Sequence, residues 1–140
     1  MAIPSLSPVT IGAIVKAPIE KVWEYFTDPT HVTKWAFASD DWVAPKATND
    51  LKVGGKFLTR MESKDGKDGF DFEGVYSAVE KNRLIEYDMS DGRHVKATFI
   101  ETPDGVKITQ TFDPENENPI DFQKQGWQAI LNNFKKYTES

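Results

Sequence analysis

Two histidines, His31 and His94, are the only imidazoles of this chain, and neither stands in a His-x-His or His-Glu-x-x-His pattern. The spacing that brings two ring nitrogens to one ion is missing, so no metal site is expected and both read as surface residues. Asp65 to Asp71 and Asp113 to Asn118 resemble calcium loops only superficially. The first lacks the closing Glu, and the second contains Pro114 and no central Gly, so each reads as a turn. No cysteine and no Gly-x-Ser-x-Gly elbow is present to act as a nucleophile. Gly54-Gly55-Lys56-Phe57 lacks the earlier Gly and the trailing Ser or Thr of a phosphate loop. The carboxylate pairs Asp40-Asp41, Asp71/Glu73 and Glu86/Asp88 could serve as acid and base if buried, yet charged side chains on a sheet are usually a solvated face. Arg60, Glu62, Glu86 and His94 are left as polar candidates for a cavity rim. No catalytic, metal-binding or cofactor-binding constellation is expected.

The aromatic residues are the stronger functional candidates. Trp35, Phe57, Phe72, Tyr76, Phe99, Trp127 and Phe134 could line an apolar, sparsely polar pocket for a small molecule. They could equally fill a core, since tight packing is the rule in protein interiors. Polar residues that share their faces weigh on the side of a pocket. Thr59, Tyr76, Gln110 and Gln123 would each need a partner inside, and a ligand or water could supply one. Met61 and Ile130 fall on the same faces and complete the expected lining.

These residues must be positioned by recognisable elements. Val9 to Lys16 is β-branched and loosely alternating, which predicts a strand ended by Ala17-Pro18. A helix follows over Pro18 to Thr27, with Ile19, Val22, Trp23 and Phe26 on one face. Asp28-Pro29 then restarts the count as cap and first position of a short second helix that bears Val32 and Trp35. Ala36 to Asn49 shows no period and reads as a long loop. From Asp50 to Phe112 the period is two, predicting strands over Leu51 to Met61, Gly69 to Val79, Arg83 to Met89, His94 to Glu101 and Val106 to Phe112, with Asp-Gly and Asn turns between them. Alternation places Phe57, Thr59 and Met61, then Phe70, Phe72, Gly74 and Tyr76, then Val95, Ala97 and Phe99 on one face. It turns Asp71 and Glu73 to the other. Val106, Ile108, Gln110 and Phe112 set one amide among these rings, and Gly54-Gly55 marks a bulge or sharp bend.

The final segment, Asn118 to Ser140, predicts one long amphipathic helix. Asn118 suits the cap, Pro119 the first position and Asp121 the positive end of the dipole, with Lys135 and Lys136 at the other end. Ile120, Gln123, Trp127, Ile130, Leu131 and Phe134 form its apolar stripe. About six antiparallel strands, wrapped around this helix as their cover, give an α+β architecture in one domain spanning residues 1–140.

Composition narrows the partners. Apolar residues at 39% and charged residues at 28% describe a folded chain, not a disordered one. The formal charge of −5 without a basic cluster argues against nucleic acid. No segment is expected to span a membrane, and Met1 to Pro18 makes a poor signal peptide. Absence of cysteine fits a cytoplasmic setting.

Strand, two short helices, antiparallel meander and long final helix together resemble the helix-grip fold of the START-like, birch-pollen-allergen-like superfamily. Several motifs are similar to its branch named for the activator of heat-shock protein 90 ATPase: Val22-Trp23-Glu24-Tyr25-Phe26-Thr27 with Pro29 and Trp35, Asp50-Leu51-Lys52-Val53-Gly54-Gly55-Lys56-Phe57, Phe72-Glu73-Gly74-Val75-Tyr76, Ile85-Glu86-Tyr87, and Gly126-Trp127-Gln128-Ala129-Ile130-Leu131. The resemblance runs from Val9 to Glu139. It implies a cavity between sheet and long helix, which in the superfamily holds lipids, hormones, polyketides or aromatic compounds, and it carries over no shared catalytic set. The co-chaperone that names the branch is larger, and the N-terminal half that makes much of its chaperone contact has no counterpart here, so chaperone contact is doubtful. The expected function is binding of a hydrophobic small molecule. The alternatives are an enzyme of the cyclase, isomerase or hydrolase kind and a chaperone-linked interaction module.

Overall fold

The computed structural model describes residues 7–140; the first six residues of the stretch read against a signal peptide lie outside them. The chain runs β1 (Val9–Val15), α1 (Ile19–Thr27), α2 (Pro29–Val32), β2 (Trp42–Asn49), β3 (Lys56–Ser63), β4 (Gly69–Glu80), β5 (Leu84–Met89), β6 (His94–Thr102), β7 (Gly105–Phe112) and α3 (Ile120–Glu139). All strand pairs are antiparallel. They form one curled sheet in the order β1-β7-β6-β5-β4-β3-β2. The expected α+β architecture holds, with one strand more than the sequence suggested. That strand is β2, in the stretch read as a loop. Its period is broken by a register shift between Val43 and Lys46 and by Pro45, a pattern tolerated on an edge strand, where no partner needs the missing N–H.

Local chemistry explains where the elements begin. Asp28 caps α2 as expected, its Oδ1 accepting from the Thr30 N–H at 2.9 Å. Asn118 does not cap α3. Pro119 occupies the flanking position, and Gln123 reaches back instead, accepting from Glu115 N–H at 2.8 Å and donating to the Glu115 and Asn118 carbonyls at 3.0 and 2.8 Å. Gly54-Gly55 is likewise not a bulge inside a strand. Residues 51–55 form a turn that precedes β3, in which Gly54 takes φ +83° and a Cβ at Gly55 would collide with the Asp50 carbonyl oxygen. This turn is hydrogen-bonded to Tyr76, Gly54 N–H donating to its carbonyl and Gly55 C=O accepting from its N–H.

The free edge of β1 is closed by α3. Gln128 donates to the Gly12 carbonyl at 3.0 Å, Lys135 to the Ile14 carbonyl at 2.7 Å, and Glu139 accepts from Lys16 N–H at 2.8 Å. Spacings of seven and four residues put these three side chains along one side of the helix, so a template for strand pairing is covered. The adjoining stripe sinks Leu131, Phe134 and Thr138 into the core. Phe134, fully buried, meets Phe26 and Trp35 edge-on at 5.2 and 4.9 Å.

Arg60, Glu62, Glu86 and His94, considered for a cavity rim, are engaged in ion pairs instead. Arg60 pairs with Glu62 at 3.2 Å and Asp71 at 3.4 Å. His94 stands between two carboxylates, Nε2 at 2.9 Å from Glu86 and Nδ1 at 2.8 Å from Asp88. These hydrogen bonds, Glu86 first and Asp88 second, raise the His94 pKa above its ordinary value. The folded state thus holds this proton more tightly than the unfolded chain does. The resulting stabilisation is complete below the unfolded value of about 6.5 and is lost as pH rises through the higher folded value. The site is partly exposed, so it contributes under about 1 kcal/mol. Urea unfolding of His94→Gln beside the parent should show a larger gap at about pH 6 than at about pH 8.5; a gap independent of pH would remove this role.

Candidate functional site

Between the concave face of the sheet and the helices lies a cavity of about 420 Å³. Nine of the expected residues border it: Trp35, Phe57, Thr59, Met61, Phe72, Tyr76, Gln110, Trp127 and Ile130. Strand alternation delivers most of them, because Phe57, Thr59 and Met61 of β3 face Gly74, Phe72 and Phe70 of β4 in register. Phe99, Phe134 and Gln123 do not border it. Phe99 packs against Trp23 and Phe26 at 5.3 and 5.2 Å, inside solid core. Gln123 spends its amide on the loop before α3.

Tyr87, Ile85, Met89, Arg93, Asn49, Val32 and Pro29 also border the cavity and escaped the sequence reading. Alternation in Ile85-Glu86-Tyr87 could have found two of them. Asn49 sits in the strand mistaken for a loop, and no local signal marks it.

Aromatic contacts shape the walls. Phe112 and Trp127 stack nearly parallel at 4.2 Å, Phe72 meets Trp127 edge-on at 5.9 Å, and Phe57 meets Tyr87 edge-on at 4.7 Å. The Phe57 ring needs Gly74 opposite it. A Cβ there would lie 2.9 Å from the ring and 2.7 Å from the Asp88 carbonyl oxygen.

Polar groups punctuate this lining in two ways. Tyr76 donates its hydroxyl to Asn49 Oδ1 at 2.6 Å, and Asn49 Nδ2 donates to the Thr27 carbonyl at 2.7 Å, linking β4 through β2 to the end of α1. Burial pushes the Tyr76 phenol up to about 12, against the opposing pull of its bond to Asn49. Burial raises Tyr87 as well, with the neighbouring Tyr76 adding to the effect. Both phenols are therefore neutral at physiological pH and act as hydrogen-bonding groups, not as phenolate bases. By contrast the Thr59 and Tyr87 hydroxyls and the Gln110 amide make no hydrogen bond among the described residues and open on the cavity, and none of them is sealed from water.

Gln110→Leu consequently removes an amide that satisfies nothing in the protein. Its unfolding free energy should stay within about 1 kcal/mol of the parent or exceed it. A larger loss in urea titration would reveal a structural partner for Gln110.

Among the described residues no helix is long and apolar enough to cross a membrane. A comparison with curated proteins finds no match. Solved structures do match. The AHSA1-like protein from Aeromonas hydrophila is 40% identical, with 94% of this chain and 92% of that one covered and a TM-score of 0.89. A protein from Cytophaga hutchinsonii is 53% identical over 93% of this chain and 90% of its own, with a TM-score of 0.81. One from Nitrosomonas europaea, at 16% identity, 94% and 93% coverage and a TM-score of 0.79, shares the fold alone. The sequence pattern of the family described as "Activator of Hsp90 ATPase homolog 1-like protein" matches residues 16–139, and with the motifs, the curled sheet and the long final helix in agreement, the chain belongs to that family.

Proposed function

We propose that the protein binds a hydrophobic small molecule, a lipid or an aromatic compound, between its curved sheet and α3. The observation that carries this reading is the meeting, in one cavity of about 420 Å³, of aromatic walls with polar groups that lack protein partners. That volume lies within the range of small-molecule pockets, about 300–1,000 Å³, and a few placed polar groups among apolar walls are their usual chemistry. Thr59, Tyr87 and Gln110 would bind the polar part of the ligand, and Phe57, Phe72, Trp127 and Ile130 its body. Family membership supports the fold and leaves the ligand to the site. A cytoplasmic setting belongs to the proposal, on the strength of a chain without cysteine.

Native mass spectrometry of protein purified from its own host, set beside the denatured mass, tests the reading. A reproducible extra mass that extracts into organic solvent is expected. Protein that is bare in every preparation, and that takes up no lipophile when offered a host lipid extract, would overturn it in favour of an interaction module.

A further inference from the structure

Beside the cavity, the α1–α2 corner gathers three side chains from one short stretch of sequence. Glu24 from the last turns of α1, Asp28 at the junction and His31 from α2 each bring one ligand atom to within 4.8 Å of the others. We propose that these three residues form a site for a divalent transition metal of the zinc class.

Several independent features point to a cation. The His31 ring is held in place from outside the cluster: it stacks on Tyr25 at 3.9 Å between centroids, and its Nδ1 lies 2.7 Å from the Tyr137 hydroxyl on α3. In the tautomer that donates Nδ1–H to that hydroxyl, Nε2 carries the free lone pair and would be the metal ligand, the outer-partner arrangement usual for metal-bound histidines. Neither carboxylate has an ion-pair partner among the described residues. Lys21, one turn before Glu24, directs its ammonium at the Tyr25 ring, 5.2 Å from the centroid. Two carboxylates and an imidazole thus stand near one another without being ion-paired, and the exposed Glu24 side chain is free to close on an ion. Asp28 uses Oδ1 to cap α2, and a carboxylate oxygen has lone pairs enough to accept that bond and a cation together.

The donor set selects the metal class. An imidazole nitrogen favours zinc, cobalt, nickel or copper over magnesium and calcium, which prefer all-oxygen shells. Three protein ligands leave a position for water. The pattern Glu24-x-x-x-Asp28-x-x-His31 escapes motif rules because its members straddle two helices joined at a bend. A bound ion would tie α1 to α2, and with α2 the Pro29 and Val32 side chains at the cavity wall.

Protein stripped with chelator should be titrated with cobalt(II), following visible d–d absorption, and with zinc(II) by calorimetry. One equivalent is expected to bind. Glu24→Gln, an exposed position that leaves the core untouched, and His31→Gln should each weaken binding at least about tenfold. Tyr137→Phe, removing a positioning residue, should lower affinity by about 10- to 100-fold and shift the cobalt spectrum without abolishing it. His94→Gln serves as a control and should leave metal affinity and the cobalt spectrum unchanged. Absence of binding, binding indifferent to Glu24→Gln and His31→Gln, or binding lost in His94→Gln would overturn the proposal.

Discussion

Phe134→Ala is expected to lower the unfolding free energy by about 3–5 kcal/mol, the cost of emptying a packed aromatic site. Phe134 is fully buried, and its ring is edge-on to both Phe26 and Trp35. It therefore joins three elements at once, namely α3, α1 and the segment after α2. Loss of the ring deletes transfer free energy and two aromatic contacts, each worth about 0.5–1.5 kcal/mol beyond burial. It also leaves a void that helices anchored at both ends cannot collapse into. Denaturant unfolding measures the effect. A loss below about 1.5 kcal/mol would mean that α3 can shift inward, and that the helix is not the rigid cover the fold implies.

Much of this arrangement was legible in the sequence because two periods changed cleanly along it. Alternation assigned the inner faces of β3 and β6 and part of that of β4, where Phe70 is half-exposed and Asp71 and Glu73 reach the cavity border, and helical spacing assigned Leu131 and Phe134 to the core, since burial of one face is the strongest constraint on either element. Where the reading went astray, a tertiary interaction had replaced a local one. β2 looked like a loop because an edge strand carries Pro45 and a register shift without penalty. Asn118 looked like a cap, yet Gln123 satisfies the groups near the start of α3. Gln123 and Gln110 looked alike as inward amides, and only the fold separates them: the first is saturated by the backbone of residues 115–118, the second has no partner. The distinction between Phe99 in solid core and Phe57 on a cavity wall is of the same kind. Both sit on inward positions, and only the packing of α1 over one of them decides.

Trp127→Ala is expected to separate packing from binding. The indole is half-buried, stacked on Phe112 on one side and bordering the cavity on the other. With Phe112 stacked on it and Phe72 edge-on, but with the cavity beside them, it gives up fewer contacts than a ring enclosed by core. Its removal should therefore cost less than Phe134→Ala, about 2 kcal/mol, made up of the stacked pair and part of the burial. The same substitution takes away the largest apolar surface offered to a ligand, and the extra mass in native spectra should fall below detection. Ile130→Trp, one helical turn further on the same wall, approaches the question from the opposite direction. Overpacking a filled interior costs about 1–3 kcal/mol, whereas a real void absorbs the added ring while excluding the ligand. Stability kept within about 1 kcal/mol together with loss of the bound mass is the expected result for Ile130→Trp. If Trp127→Ala were as costly as Phe134→Ala, and Ile130→Trp strongly destabilising, the aromatic interior would be a core and the binding proposal would fall.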